Sequence, residues 1–182
     1  NHTCLLAITP SPVKKGVIWT GSDDGNLQVT QDGGQTWTNV SKNLTGLPKG
    51  SWIPQVRASN YEAGEAWVVA NNYRRGDFNA YAYYTTDYGK SWDKIINNEK
   101  VFGYALCILQ DPVEPKLLFL GTEHGLWVSI DKGENWVRWT HGFPAVSTMD
   151  LDMQEREADL VIGTFGRSIF ILDDIRPLRE IA

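Results

Sequence analysis

The chain has 182 residues, 42% of them hydrophobic and 21% charged, with a net charge of −5 at neutral pH and a pI near 5.2. Lys and Arg never run beyond two in a row, so the basic patch that meets a nucleic acid or an anionic bilayer is missing, and no apolar run reaches the roughly 18 residues of a membrane span. The 17 glycines and 8 tryptophans, with no long helical period, predict an all-β chain rich in turns.

In chain order, the first unit opens on the apolar stretch around Cys4 and continues as VIWTGSDDGNLQVT, two strand patterns about a polar turn, ending in the segment TQDGGQTW (Thr30–Trp37). The second unit, EAWVVANNYRRGDFNAYAYY, has the same form with a longer loop and runs into TTDYGKSW (Thr85–Trp92). The third, LLFLGTEHGLWV, runs into SIDKGENW (Ser129–Trp136). The fourth, DLVIGTFGRSIFILDD, is followed by IRPLREIA. Gly21, Ala70, Gly121 and Gly163 are read as equivalent small-residue turn positions, and their spacing is that of a blade repeat of about 40–50 residues with about four strands per blade.

The shared template is Ser/Thr-x-Asp-x-Gly-x-Thr/Ser-Trp, from which only Asn135 departs. Each position has a physical task. Gly34, Gly89 and Gly133 take a backbone conformation closed to residues with a Cβ. Asp32, Asp87 and Asp131 accept backbone N–H bonds across their own turn and close the hairpin locally. Trp37, Trp92 and Trp136 start the next strand and are expected to bury a large apolar face between blades. These acids are therefore structural, one per blade at the outer rim.

The boxes resemble the Asp-box, or BNR, repeats of sialidases, xyloglucanase-type glycoside hydrolases and sortilin-like receptors. The ending GTFGRSIFILDDIRPLRE resembles the last propeller strands of large bacterial BNR-repeat proteins described as glycosyl hydrolases or sortilin-like. The resemblance implies a β-propeller of four-stranded antiparallel blades. It says little about chemistry, because these families share the hairpin and differ in function.

About three and a half blades are expected, near residues 1–50, 51–100, 101–143 and 144–175, with 176–182 as a tail. In the third, strands fall near Tyr104–Gln110, Lys116–Gly121 and Leu126–Ile130, with the last starting at Trp136; in the fourth, near Ser147–Met153, Asp159–Gly163 and Ser168–Leu172. Pro177 argues against a fourth strand there. Three and a half blades do not close a ring, so the expected partners include upstream blades of the same chain or another chain. Antiparallel alternation puts the Asp boxes on one face, and the second-to-third-strand turns and the crossovers on the other.

That second face supplies the candidate site: Asp23, Asp24, Asn71, Asn72, Arg74, Arg75, Asp77, Glu123, His124 and Arg167 from turns, with Trp52, His141 and Phe143 from crossovers. Asp23, Asp24, Asp77 and Glu123 are the candidates for the paired carboxylates of a glycosidase, which stand about 5–10 Å apart. Arg and exposed Trp on one rim suit a protein or glycan ligand. The Arg75-Gly76-Asp77 tripeptide is explained by a Gly-containing loop tip. Trp19, Trp67 and Trp127 belong to the core, and Cys4 and Cys107, each in apolar surroundings, are expected to be buried thiols. The three isolated histidines make no zinc pattern, and no cofactor is expected.

The reading that needs nothing more is an extracellular, periplasmic or cell-surface binding or scaffolding propeller. The alternatives are a BNR-type glycoside hydrolase and a sortilin-like peptide receptor. A sialidase would need an arginine triad and a Tyr nucleophile; Arg74, Arg75 and Arg167 do not match that triad, and Arg57 sits on an inner strand. Sequons at Asn1, Asn39 and Asn43 matter only in a eukaryotic secretory setting.

Overall fold

The computed structural model describes residues 3–182, so the first sequon at Asn1 and His2 lie outside the described residues. Blade one is β1 (Leu5–Pro10), β2 (Ile18–Ser22), β3 (Leu27–Thr30) and β4 (Thr38–Asn39). Blade two is β5 (Trp52–Ala58), β6 (Ala66–Asn72), β7 (Asp77–Thr85) and β8 (Asp93–Lys94). Blade three is β9 (Ala105–Gln110), β10 (Leu118–Thr122), β11 (Gly125–Ser129) and β12 (Val137–Trp139). Blade four holds three strands, β13 (Thr148–Gln154), β14 (Asp159–Thr164) and β15 (Ile169–Leu172), then the short helix α1 (Arg176–Ile181). In every blade the strands pair antiparallel in chain order, the meander of a propeller blade. A proline in the first turn of α1 suits a helix start and cannot donate to a ladder, so no outer strand forms there.

The core lies between blades. Trp19, Leu27, Ile53, Val56, Val68, Tyr83 and Trp92 fill the gap between the first and second. Trp67, Val69, Ile108, Leu120, Trp127 and Trp136 fill the next, and Cys107, Phe119, Leu126, Leu151, Leu160 and Ile162 the third. Central strands are therefore apolar on both faces, and β10 and β11 are buried at every residue.

Gly21, Gly121 and Gly163 lie within β2, β10 and β14, not in turns. The register pairs them with Ala7, Cys107 and Asp150, and the matching residue of blade two is Val69, opposite Gln55, in place of Ala70. At Gly21 smallness answers to the next blade, where a Cβ would lie 2.6 Å from Ile53 Cγ2; at Gly121 a Cβ would lie 2.4 Å from Cys107 Sγ of its own blade and 2.7 Å from the Thr148 carbonyl of the next. Cys107 is buried, but Cys4 is exposed. Trp92 and Trp136 are buried against the blade before their own, whereas Trp37 of the first described blade is 42% exposed.

Each Asp box closes on itself in the same way. Asp32 Oδ1 accepts the Thr36 N–H at 2.9 Å and the Thr30 hydroxyl at 2.7 Å, while the Thr36 hydroxyl donates to Oδ2 at 2.6 Å. Asp87 repeats this with Ser91 and Thr85. At Asp131 the Asn135 side-chain amide takes the place of the hydroxyl, donating at 2.8 Å. The one departure from the template thus preserves the hydrogen bond.

Two ion pairs tie blades together on the box face. The buried Glu65, ahead of β6, accepts from the hydroxyls of Ser59 and Tyr84 and pairs with Lys132 of the third box at 2.6 Å. Arg179 of α1 makes a bidentate contact with the fully buried Asp111 at 2.9–3.1 Å. Asp111 also accepts the N–H groups of Val113 and Glu114. The expected tail is therefore a docked helix.

Candidate ligand-binding face

On the opposite face, the longer turn of blade two forms a single 3₁₀ turn over Tyr73–Arg75, closed by Gly76 at φ 79°. This turn is pinned to the crossover beneath it, because Arg75 donates to the carbonyls of Lys49 and Gly50 at 2.7 and 3.0 Å. Arg74 is thereby laid flat: its guanidinium carbon is 3.2 Å from the Trp52 ring centroid and 4.4 Å from that of Tyr73. Tyr73 in turn stacks on Tyr104 of the next blade at 4.4 Å and 19° between planes, and the exposed Phe78 flanks Tyr104 at 6.3 Å. Trp52 starts β5 and Tyr104 immediately precedes β9. The result is a continuous ridge, Trp52–Arg74–Tyr73–Tyr104–Phe78, spanning two inner strands. Burial, first, and the nearby Glu123 carboxylate push the Tyr104 phenol upward, so it stays a neutral donor at physiological pH.

A second, smaller aromatic group lies at blade three, where exposed Phe102 meets Trp127 edge-on at 5.1 Å and His124 at 5.8 Å. Arg138 holds it by donating to the His124 carbonyl at 2.7 Å. Beside the ridge, between the turn of blade one and the crossover to blade two, is an open hollow of about 650 Å³. Asp24, Asn26, Asn39, Lys42 and Lys49 line it, with Leu44 and Leu47. The ridge and the hollow share the segment 49–50 that Arg75 anchors.

The carboxylates of this face are engaged locally. Asp23 accepts the Cys4 N–H at 3.0 Å. Asp24 is held low by the Ser22 hydroxyl, with further bonds from Thr3 and Asn26. Burial would raise Asp77, but hydrogen bonds from Tyr81, Asn79 and Asn72 outweigh it and leave the group below its ordinary value. Glu123 lies 3.8 Å from His124. A glycosidase acid needs the opposite displacement, upward. No group of three His, Cys, Asp or Glu side chains able to hold a metal occurs among the described residues.

Of the residues named from sequence, Trp52, Arg74 and Arg75 come together, with Asn72 and Asp77 bracketing their turn. His141 and Arg167 are exposed elsewhere on the face. Two expectations are corrected. Asn71 is buried at the end of β6, where its amide donates to the Ala105 carbonyl at 3.3 Å and braces the next blade. Phe143 is buried against Phe170, ring centroids 5.0 Å apart, and belongs to the core. Sequence reading missed Tyr73, Tyr104, Phe78 and Phe102. The signal was present in the aromatics of the NNYRRGDF loop and the FGY crossover, but their stacking joins residues about 30 apart.

Asp boxes of one hydrogen-bond pattern, on meander sheets packed face to face, define an Asp-box β-propeller segment. The chain matches the model of the BNR/Asp-box repeat at residues 28–39 and 83–94, so it carries these repeats on propeller blades. It is 31% identical over 103 residues to an oligoxyloglucan-reducing end-specific xyloglucanase of Emericella nidulans, covering 52% of this chain and 11% of that one. A probable enzyme of the same description from Neosartorya fischeri is 27% identical over 116 residues, 64% of this chain and 13% of that one. The chain thus spans about a tenth of the length of these curated relatives. Among solved structures, the GH74 xyloglucanase of Xanthomonas campestris superposes with a TM-score of 0.74 at 17% identity, over 93% of this chain and 29% of that one. YCF48 bound to D1 peptide superposes with a TM-score of 0.66 at 18% identity, over 96% and 55%. These structures share the fold.

Proposed function

We propose that this chain is the glycan-holding arc of a glycoside hydrolase-like Asp-box propeller that works outside the cytoplasm, in the periplasm, at the cell surface or in the medium. An oligosaccharide lies across the Trp52–Arg74–Tyr73–Tyr104 ridge, with further hydroxyls bonded in the hollow beside it. The observation that carries this reading is the ridge itself. Aromatic rings held at 3.2–4.4 Å against one another and against Arg74 form a rigid, pre-ordered ridge along which pyranose rings can lie at little ordering cost. The similarity to xyloglucanases favours a glycan over other ligands. Local hydrogen bonds hold Asp24 and Asp77 below the ordinary carboxylate range, which suits hydrogen-bond acceptors for sugar hydroxyls better than a general acid.

The test is calorimetric titration of the chain with xyloglucan oligosaccharides. Binding is expected, and Tyr104→Ala or Tyr73→Ala is expected to weaken it about tenfold or more, because either change breaks the stacked ridge. A folded chain that binds no glycan, or one whose binding ignores both changes, overturns the reading. Capture of an extended peptide instead would make the face a peptide receptor of the sortilin-like kind.

A further inference from the structure

Stacking covers faces and leaves edges. Along the ridge the Arg74 guanidinium lies over Trp52 and Tyr73, 3.2 and 4.4 Å from their ring centroids, and Tyr73 lies nearly parallel to Tyr104 at 4.4 Å. The surfaces these groups turn toward one another are closed to a ligand, and their rims remain open. The rim of an aromatic ring is the positive end of its quadrupole, and the rim of a guanidinium is a set of N–H donors in one plane. The ridge therefore presents an electropositive line, although the chain as a whole carries a net charge of −5.

On that line Arg74 carries the full charge. It is exposed, and among the described residues it pairs with no carboxylate. Its neighbour Arg75, by contrast, is engaged by the carbonyls of Lys49 and Gly50. The acids of the same face are occupied in their own turns. Asp77 accepts the Tyr81 hydroxyl at 2.8 Å and the Asn79 amide at 2.9 Å, Asp24 accepts the Asn26 amide at 2.8 Å, and Glu123 faces His124 at 3.8 Å. Lys42 and Lys49, lining the adjoining hollow, add further positive charge. A guanidinium held flat on aromatic rings has also lost much of its side-chain freedom before a ligand arrives. Planar, bidentate pairing with a carboxylate then requires little further ordering.

We propose, resting on the reading of this face as a glycan ridge, that Arg74 is its specificity-determining residue and that the glycan it selects carries a uronic acid. The uronate carboxylate accepts from the in-plane N–H groups of Arg74, while neighbouring pyranose rings run along the rims of Tyr73 and Tyr104. A carboxylate is planar and matches the guanidinium fork, and in a uronic acid it projects from the edge of the sugar ring. A sugar lying alongside the ridge thus brings it to the fork edge to edge.

The experiment is calorimetric titration of the 182-residue chain with a glucuronic-acid-bearing oligosaccharide and with the same oligosaccharide after its carboxyl group is reduced to the alcohol. The acid form is expected to bind about tenfold more tightly at low salt, and this ratio to shrink as salt is raised. Arg74→Gln is expected to bring the ratio to about one. Arg156→Gln removes the same charge from the exposed turn between β13 and β14 and is expected to leave the ratio standing. Free glucuronate, which meets the fork without the rest of the ridge, is expected to bind at least about tenfold more weakly than the oligosaccharide. Equal binding of the acid and reduced forms by wild type overturns this inference and leaves the glycan ridge intact. A ratio that survives Arg74→Gln, or free glucuronate bound as tightly as the oligosaccharide, also overturns it. If neither oligosaccharide binds, the glycan reading falls and this inference with it. An acidic peptide bound in their place would assign the fork to a protein ligand and overturn both.

Discussion

Lys132, in the Asp box of the third blade, places its ammonium 2.6 Å from the buried carboxylate of Glu65 in the second. Its backbone sits at φ 62°, the left-handed conformation that the box imposes at this position also on Gly33 (φ 77°) and Tyr88 (φ 60°). Replacing Lys132 with Met would leave Glu65 buried with only the Ser59 and Tyr84 hydroxyls. The expected loss is about 2 kcal/mol, below the value for a fully buried pair because the lysine is a third exposed and partly screened. Urea denaturation measures it, and a change below about 0.5 kcal/mol would class the pair with surface contacts.

Acid should loosen every blade that carries a box. Asp32 is held low chiefly by the Thr36 hydroxyl and N–H. Burial opposes the same effect at Asp87 and Asp131, but the bonds from Ser91 and Asn135 prevail. A depressed carboxylate contributes stability that is complete above its unfolded value, near 3.8, and lost as pH falls through the lower folded value. The thermal midpoint is therefore expected to hold between neutrality and about pH 5 and to fall steeply below about pH 4. Calorimetry across pH tests this; Asp87→Asn should flatten the fall, and a midpoint rising on acidification would exclude the account.

Removing the Arg179 guanidinium leaves Asp111 fully buried, with two backbone N–H donors. Arg179→Ala is expected to cost about 3 kcal/mol and to free α1 from blade three. Hydrogen exchange reports it directly: the amides of 178–181 should lose protection while those of β6 keep it.

The two thiols should separate cleanly. Cys4 is exposed, whereas burial drives the Cys107 thiol far above its ordinary range. A disulfide reagent at neutral pH is expected to modify Cys4 in the native protein, and Cys107 only after denaturation. Rapid native reaction at both would mean that the gap between blades three and four opens readily.

The architecture was readable because the box is local: every bond of Asp32, Asp87 and Asp131 closes within its own eight-residue segment. What neighbouring blades decide was not readable. Cys4, Leu5 and Leu6 look like core by composition and are exposed, since burial is decided by contacts between blades and not by local composition. Gly21 and Gly121 read as turn residues, although contacts within and between blades are what keep them small. At the candidate site, Trp52 and Arg74 were both visible, but their stacking, and that of Tyr73 on Tyr104, depends on loop conformations anchored by Arg75.

The self-contained box also bears on how such a protein grows. A gene segment encoding one blade carries a turn that folds wherever it is copied, as the Asn135 variant of the third box illustrates by keeping its bond with a different side chain. Duplication then has to solve a single problem anew, the fit of one sheet against the next. That confines the innovation between copies to a handful of residues such as Gly21 and Ile53, and leaves the opposite loops free to diversify independently of the scaffold.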